Sequence, residues 1–117
     1  MILTLPWPTK ALSPNARVHW AVLAKAKKGY RFACAMTARQ QGAVKMNAER
    51  LKVHLRFLPP DRRARDLDNC IASMKSGLDG LADVLGVDDS RWTLSAEIPV
   101  AGGEVGGMVR VTVEVAP

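Results

Sequence analysis

The chain lacks long apolar runs and the residue patterns of export and of thiolate metal sites. Its 117 residues include no stretch of eighteen or more apolar residues, so no membrane-spanning helix is expected. The first ten residues, MILTLPWPTK, have neither the basic nor the apolar region of a signal peptide, which favours a cytoplasmic protein. Cys34 and Cys70 form no CxxC pair and have no histidine at ligand spacing. We expect reduced thiols rather than a disulfide or zinc ligands.

Acidic residues are scarce in the first half of the chain. Residues 1–65 carry fourteen Lys and Arg but only two acidic residues, Glu49 and Asp61, a net charge of +12. Residues 66–117 carry three Lys and Arg and nine acidic residues, a net charge of −6, which gives +6 overall. Surface charges of opposite sign are usually mixed, so this segregation favours a polyanionic partner, with nucleic acid first. Charge alone leaves open a basic but unspecialised protein.

The length and the apolar content of 48% predict one domain over residues 1–117. A short strand, ILTL, ends at Pro6, and an Ala- and Lys-rich helix is expected over about 17–41. Its predicted apolar face holds Val22, Ala26, Tyr30 and Ala33, and its basic face holds Lys25, Lys28, Arg31 and Arg39. LKVHLRFL alternates strictly between apolar and polar residues, which is typical of a half-buried strand.

The second half predicts one more helix and two strands. Asp68 or Asn69 is suited to cap a helix that runs to about Leu85, with a buried stripe of Ile71, Met74, Leu78, Leu81 and Leu85. Strands are expected over 92–100 and 109–115, joined by AGGEVGG as a hairpin loop. This order predicts an α+β fold in which two helices pack on one face of a small mixed sheet of about four strands.

The segment DRRARDLDN, residues 61–69, places three arginines directly before two aspartates. In an extended segment the side chains of Asp66 and Asp68 point the same way, and neighbouring carboxylates are costly unless a cation lies between them. Oxygen-rich sites of this kind suit Mg²⁺ or Mn²⁺. A third carboxylate is available at Asp88 or Asp89. It reaches Asp66 only if the intervening helix is short or if the following strand runs back beside the helix.

Helical spacing places a lysine near these carboxylates. Steps of 100° put Asp68, Ala72, Lys75 and Asp79 on nearly one helix face. Lys75 could there contact a phosphate or a developing negative charge. Arginines that hold a phosphodiester, beside carboxylates that hold a metal, favour a nuclease. Taken singly, Asp68 is equally well explained as a helix cap, Asp88 and Asp89 as a turn, and Lys75 as a solvated side chain.

The chain resembles the RusA family of Holliday-junction resolvases through several motifs along most of its length. They are LPWP, SPNARVHW, PPDRRARDLDN, a helix with a lysine and GLDGL, and GVDDSR. The resemblance implies a RusA-like fold and a Mg²⁺-dependent homodimer that binds four-way DNA junctions and nicks opposing strands. It implies that Asp66, Asp68 and Asp89 bind the metal and catalyse with Lys75, which lies seven residues after Asp68, further than in the family's usual pattern. Arg17, Arg62, Arg63, Arg65 and Lys75 are the DNA-binding residues expected on this basis.

Two functions follow from these observations. The first is a crossover junction endodeoxyribonuclease that hydrolyses phosphodiesters in DNA recombination and repair. The second is a non-catalytic, basic nucleic-acid-binding protein whose acidic residues only cap helices and form turns. A symmetric junction nicked on two strands favours a two-fold homodimer, with Trp7, Trp20 and Trp92 as candidate contacts.

Overall fold

The computed structural model describes residues 1–99 and 106–117. Four strands and three helices follow in the order β1 (Ile2–Pro6), α1 (Trp20–Gln40), β2 (Leu51–Leu58), α2 (Leu67–Ser73), α3 (Lys75–Leu85), β3 (Trp92–Glu97) and β4 (Met108–Val115). Short 3₁₀ turns lie at Lys10–Leu12 and Asp89–Arg91. The predicted α+β class and the small mixed sheet of four strands are confirmed. No helix within the described ranges is both long and apolar enough to cross a membrane.

The four strands form one sheet in the order β1-β4-β2-β3. β4 pairs antiparallel with β1 and β2, whereas β3 pairs parallel with β2. The alternation predicted for β2 is confirmed, because Leu51, Val53, Leu55 and Phe57 are fully buried. β2 lies between β3 and β4, so the predicted hairpin between the last two strands is wrong. Val100 and residues 101–105, which belong to the predicted strand and loop, lie outside the described residues.

The predicted buried face of α1 is confirmed in part. Tyr30 is buried and Ala26 packs against the core as predicted, but Val22 is 52% exposed. Leu23, Cys34 and Ala38, which were not predicted, also turn toward the core. Tyr30 anchors the helix because its hydroxyl donates to the carbonyl of Pro6 at 2.6 Å. The predicted second helix is two helices in the structure, with Met74 at the junction. Its predicted stripe is otherwise confirmed: Met74, Leu78, Leu81 and Leu85 are buried and Ile71 packs against them.

Two glycines let α1 and α3 approach closely. A Cβ atom at Gly80 would lie 2.2 Å from the carbonyl oxygen of Arg31, and one at Gly77 would lie 2.5 Å from the Tyr30 ring. Arg31 also forms a two-pronged ion pair with Asp83 of α3, with both N–O distances at 2.8 Å. Together these contacts hold α3, whose first residue is Lys75, against the basic helix α1.

Both cysteines are free and buried, as expected for reduced thiols. Burial raises the pKa of the Cys34 thiol to about 11. Burial also raises the pKa of Cys70. Both side chains are therefore protonated apolar groups at neutral pH.

Candidate functional site

Asp66 and Asp68 lie at the start of α2, and Asp66 is its N-cap. The Asp66 carboxylate accepts a hydrogen bond from the backbone N–H of Asp68 at 2.9 Å. The predicted caps, Asp68 and Asn69, are therefore wrong, because the helix begins two residues earlier, at Leu67. Asp68 lies in the first helical turn, where its negative charge favours the positive end of the helix. Both carboxylates are exposed.

Lys75 and Asp89 meet, although fourteen residues separate them in the chain. The Lys75 ammonium lies 2.5 Å from Asp89 Oδ2 and 3.2 Å from Asp79 Oδ1. The predicted shared face of Lys75 and Asp79 is thereby confirmed. Asp89 reaches this place because the helical segment is broken at Met74 and the following strand, β3, returns beside α2.

Hydrogen bonds to Asp89 first, and to Asp79 second, raise the pKa of Lys75 above its ordinary value. The side chain is therefore an ammonium at neutral pH and acts as a positive charge rather than as a general base. It is 65% exposed, so the ion pair adds little to stability. An exposed ammonium of this kind is free to contact a phosphate that approaches from solvent.

Asp88 has a local role that separates it from Asp89. Its carboxylate accepts a hydrogen bond from the backbone N–H of Ser90 at 3.0 Å and caps the 3₁₀ turn. Hydrogen bonds to Ser90 lower the pKa of Asp88. Of the two aspartates, Asp89 is therefore the one that turns toward the predicted site.

Asp61 engages two of the three arginines in the basic segment. Arg65 lies 2.9 Å and Arg63 lies 3.1 Å from the Asp61 carboxylate. These contacts, with Arg65 the strongest, hold the pKa of Asp61 well below its usual range. Arg65 is also stacked over the Trp7 ring at 5.4 Å and its side chain is only 17% exposed. Within the described ranges Arg62 makes no such contact, so it is the most available of the three cations.

Three adjoining clefts connect five of the predicted residues, whereas Asp68, Arg62 and Arg17 line none of the three. The Asp66 cleft, of about 380 Å³, is lined among others by Trp7, Lys10, Ser13, Arg65, Asp66 and Ser73. The Lys75 cleft shares Ser13 and Ser73 with it and adds Val18, Lys27, Lys75 and Asp79. The Asp89 cleft shares Ala72 and Lys75 with the Lys75 cleft and adds Ile71, Asp89, Trp92 and Leu94. The clefts thus form a concave strip along α2.

The strip carries more positive than negative charge. Its basic lining residues are Lys10, Lys27, Arg63, Arg65 and Lys75, and its acidic ones are Asp66, Asp79 and Asp89. Lys10 and Lys27 were not predicted as site residues. Lys27 lies four residues after Leu23 and three before Tyr30, so helical spacing could have indicated that it lies on the core side of α1. Lys10 lies outside any periodic segment and is brought to the strip only by the tertiary fold. Arg17 is exposed in the segment that leads into α1.

The predicted carboxylates are not all gathered at one point. Asp66 and Asp89 line different clefts, and Lys75 holds Asp89. Within residues 1–99 and 106–117, no three His, Cys, Asp or Glu side chains are grouped to hold a metal ion. The structure therefore joins Lys75 with Asp89 and places Asp66 and Asp68 as a separate pair.

No protein-family model matches the chain. An uncharacterised protein of Xylella fastidiosa (strain Temecula1 / ATCC 700964) is 47% identical to it over 93 residues, which cover 77% of this chain and 61% of that protein. The chain thus spans less than two thirds of the length of this relative. That relative is itself uncharacterised, so the function of this chain is argued from its site.

Proposed function

We propose that the chain is a RusA-like, Mg²⁺-dependent endodeoxyribonuclease that binds branched DNA and resolves four-way junctions by paired symmetric nicks. The observation that carries the proposal is the contact between Lys75 and Asp89. The resemblance to the RusA family selected both residues independently, from motifs fourteen positions apart. Their contact in the structure supports the proposal, because the pairing was not used to select either residue.

The donor set fits Mg²⁺. This ion usually binds one or two protein carboxylates and completes its shell with water and substrate phosphates. Asp66 and Asp68, both exposed at the start of α2, supply such a pair. When bound, the ion would polarise the phosphodiester and activate water. Mn²⁺ has the same ligand preference and would serve as a substitute.

The basic residues in and around the strip would bind and orient DNA. Lys75 would place a positive charge beside the phosphate on which negative charge develops. Arg62 is available for a phosphate, and Arg63, Arg65 and Arg17 would add to the positive field. Asp89 would keep the Lys75 ammonium pointed toward the strip. A homodimer would supply two such strips for two opposed strands. We expect the protein to bind its DNA substrate in the cytoplasm.

A non-catalytic nucleic-acid-binding protein is the second candidate. It is favoured by the cap that Asp66 provides to α2 and by the separation of the carboxylates in the described structure. Under this alternative the basic residues bind phosphates, and the acidic residues stabilise local turns. The two candidates differ in the expected effect of removing a carboxylate: only the nuclease has a cleavage activity to lose.

The test compares junction cleavage in Mg²⁺ with junction binding in EDTA for Asp66→Asn, Asp68→Asn and Asp89→Asn. We expect each variant to lose most of the cleavage and double variants to lose little more, because the residues act as a unit. Binding should persist or strengthen, since each change removes a charge that repels phosphate. Glu114→Gln, an exposed acidic residue on β4, is the matched control and should cut normally. Cleavage at the wild-type rate by all three aspartate variants would exclude this site.

A further inference from the structure

Trp20, the first residue of α1, is exposed to an unusual degree. It is 75% exposed, more than any other large apolar side chain that the structure describes. Val18, which precedes the helix, is also exposed, and the His19 ring lies 5.4 Å away, tilted by 34°. We call Val18 and Trp20 the Trp20 patch. An apolar patch with an aromatic at its centre is typical of a surface that binds a partner.

The surroundings of the Trp20 patch indicate the charge of that partner. Residues 1–48 contain no Asp or Glu, so neither α1 nor the segment before it supplies a negative charge. Arg17 and Lys25 lie close to the patch in the chain. A second copy that docked the same patch by a two-fold axis would bring two positive surfaces together, which is unfavourable. A polyanion with flat apolar faces is the complementary ligand, and nucleic acid has both properties.

The patch adjoins the proposed DNA-binding strip. Val18 lines the Lys75 cleft together with Lys27 and Lys75. Trp20 and Lys27 are seven residues apart on α1, so they share a helix face and lie about 10 Å apart along its axis. Trp20 therefore lies at the border of the Lys75 cleft, on the side of α1.

We propose that Trp20 stacks on an exposed base face of the bound DNA. In a linear duplex the base faces are covered by their neighbours, whereas a branch point or a single strand exposes them. Stacking on Trp20 would thus favour branched or single-stranded DNA over linear duplex. This inference rests on the proposed function. It identifies Trp20 as the residue that would distinguish branched from linear DNA.

The test measures DNA affinity in EDTA with three fluorescent probes: a dT-rich single strand, a four-way junction with 2-aminopurine at the branch, and a blunt linear duplex. Trp20→Ala should weaken binding of the single strand and the junction by roughly 5- to 150-fold, the range of one base–aromatic stack. It should change duplex binding little. Trp20→Phe should retain most of the affinity, because a smaller aromatic ring still stacks.

Phe32→Ala provides the matched control. Phe32 is also a highly exposed aromatic residue of α1, at 67%, but twelve residues from Trp20 it lies about 120° away around the helix. Removing Phe32 should leave the affinity for all three probes unchanged. An equal effect of the two substitutions would mean that α1 merely loses apolar surface.

Three results would overturn the inference. They are unchanged single-strand and junction binding by Trp20→Ala, an equal loss on all three probes, and a dimer that Trp20→Ala converts to a monomer in sedimentation. The last would show that a second copy covers the patch. Binding is measured in EDTA, where metal-dependent cleavage cannot occur, so this test is separate from the cleavage assay in Mg²⁺. A protein that binds as expected but does not nick DNA in Mg²⁺ would contradict the proposed nuclease and leave the stacking role of Trp20 intact. A wild-type protein that binds none of the probes would overturn both.

Discussion

Gly80→Ala should destabilise the fold because the added methyl group has no place between α1 and α3. The new Cβ atom would lie 2.2 Å from the Arg31 carbonyl oxygen, 3.0 Å from the Arg31 carbonyl carbon and 3.3 Å from the Ala35 nitrogen. All three are backbone atoms, so no side-chain rotation can relieve the contact and the helices must move apart. Overpacking costs about 1–3 kcal/mol, and the higher helix propensity of Ala offsets up to ~1 kcal/mol. Because the 2.2 Å contact is with a backbone atom, the upper part of the overpacking range applies, and we expect a net loss of roughly 1–2 kcal/mol.

The assay is thermal unfolding followed by circular dichroism, with Gly29→Ala as the control. For a domain of this size, 1 kcal/mol corresponds to roughly 3–6 °C in Tm. Gly29 is an exposed helical glycine of α1, and a Cβ atom there meets no atom within 4 Å. Gly29→Ala should therefore raise Tm, while Gly80→Ala lowers it. A Gly80→Ala protein with a Tm at or above that of the wild type would refute the close helix contact that positions Lys75 beside α1.

Three further predictions concern DNA binding, acid stability and thiol reactivity. Arg62 is free of ion pairs among the described residues, so Arg62→Ala should reduce the slope of log K against log salt by about 0.9. Arg65→Ala should reduce that slope less, because Asp61 already holds the Arg65 guanidinium. A salt titration of DNA binding measures both slopes. Arg31 lowers the pKa of Asp83 below its ordinary 3.8, so the resulting stabilisation is present above that value and is lost as the pH falls. Asp83→Asn should therefore narrow the difference in Tm between pH 7 and pH 3, and an unchanged difference would contradict the ion pair. Native protein at pH 8 should react slowly with a thiol reagent at Cys34 and Cys70, and both should react quickly in guanidinium; fast labelling of the native protein would contradict their burial.

The strands were predictable from the sequence to the extent that their signal is local. The alternation of Leu51 to Phe57 identified β2, because one face of that strand is buried and the other is not. The pairing of β3 was not predictable in this way, since parallel pairing with β2 depends on the crossover through α2 and α3. Sequence reasoning joined β3 to its neighbour in the chain and gave the wrong partner.

The sequence predicted where the helical segments lie in the chain better than which helix face is buried. In the Ala-rich α1, periodicity correctly placed Ala26 and Tyr30 on the buried side but selected Val22 in place of its neighbour Leu23. The exact face depends on tertiary packing, in which Tyr30 and Cys34 lie against Gly77 of α3. Likewise the second helical segment breaks at Met74, and neither Met74 nor its neighbours Ser73 and Lys75 is a glycine or proline that would have marked the break.

The candidate site was predictable as a set of residues and only partly as an arrangement. Helical spacing correctly placed Lys75 beside Asp79. The contact of Lys75 with Asp89 depends on the return of the chain after α3, which local spacing does not encode. Asp66 and Asp68 were expected on an extended segment, but α2 begins at Leu67 and turns Asp66 into its cap.

Incubation of the wild-type protein with a four-way junction in Mg²⁺, with the products resolved on denaturing and native gels, is the most direct test of the proposed nuclease. We expect paired nicks at symmetric positions in opposing strands and release of two linear duplexes, with no product in EDTA and none from Asp66→Asn. Tight junction binding without nicks in either Mg²⁺ or Mn²⁺ would contradict the nuclease and identify the chain as a nucleic-acid-binding protein.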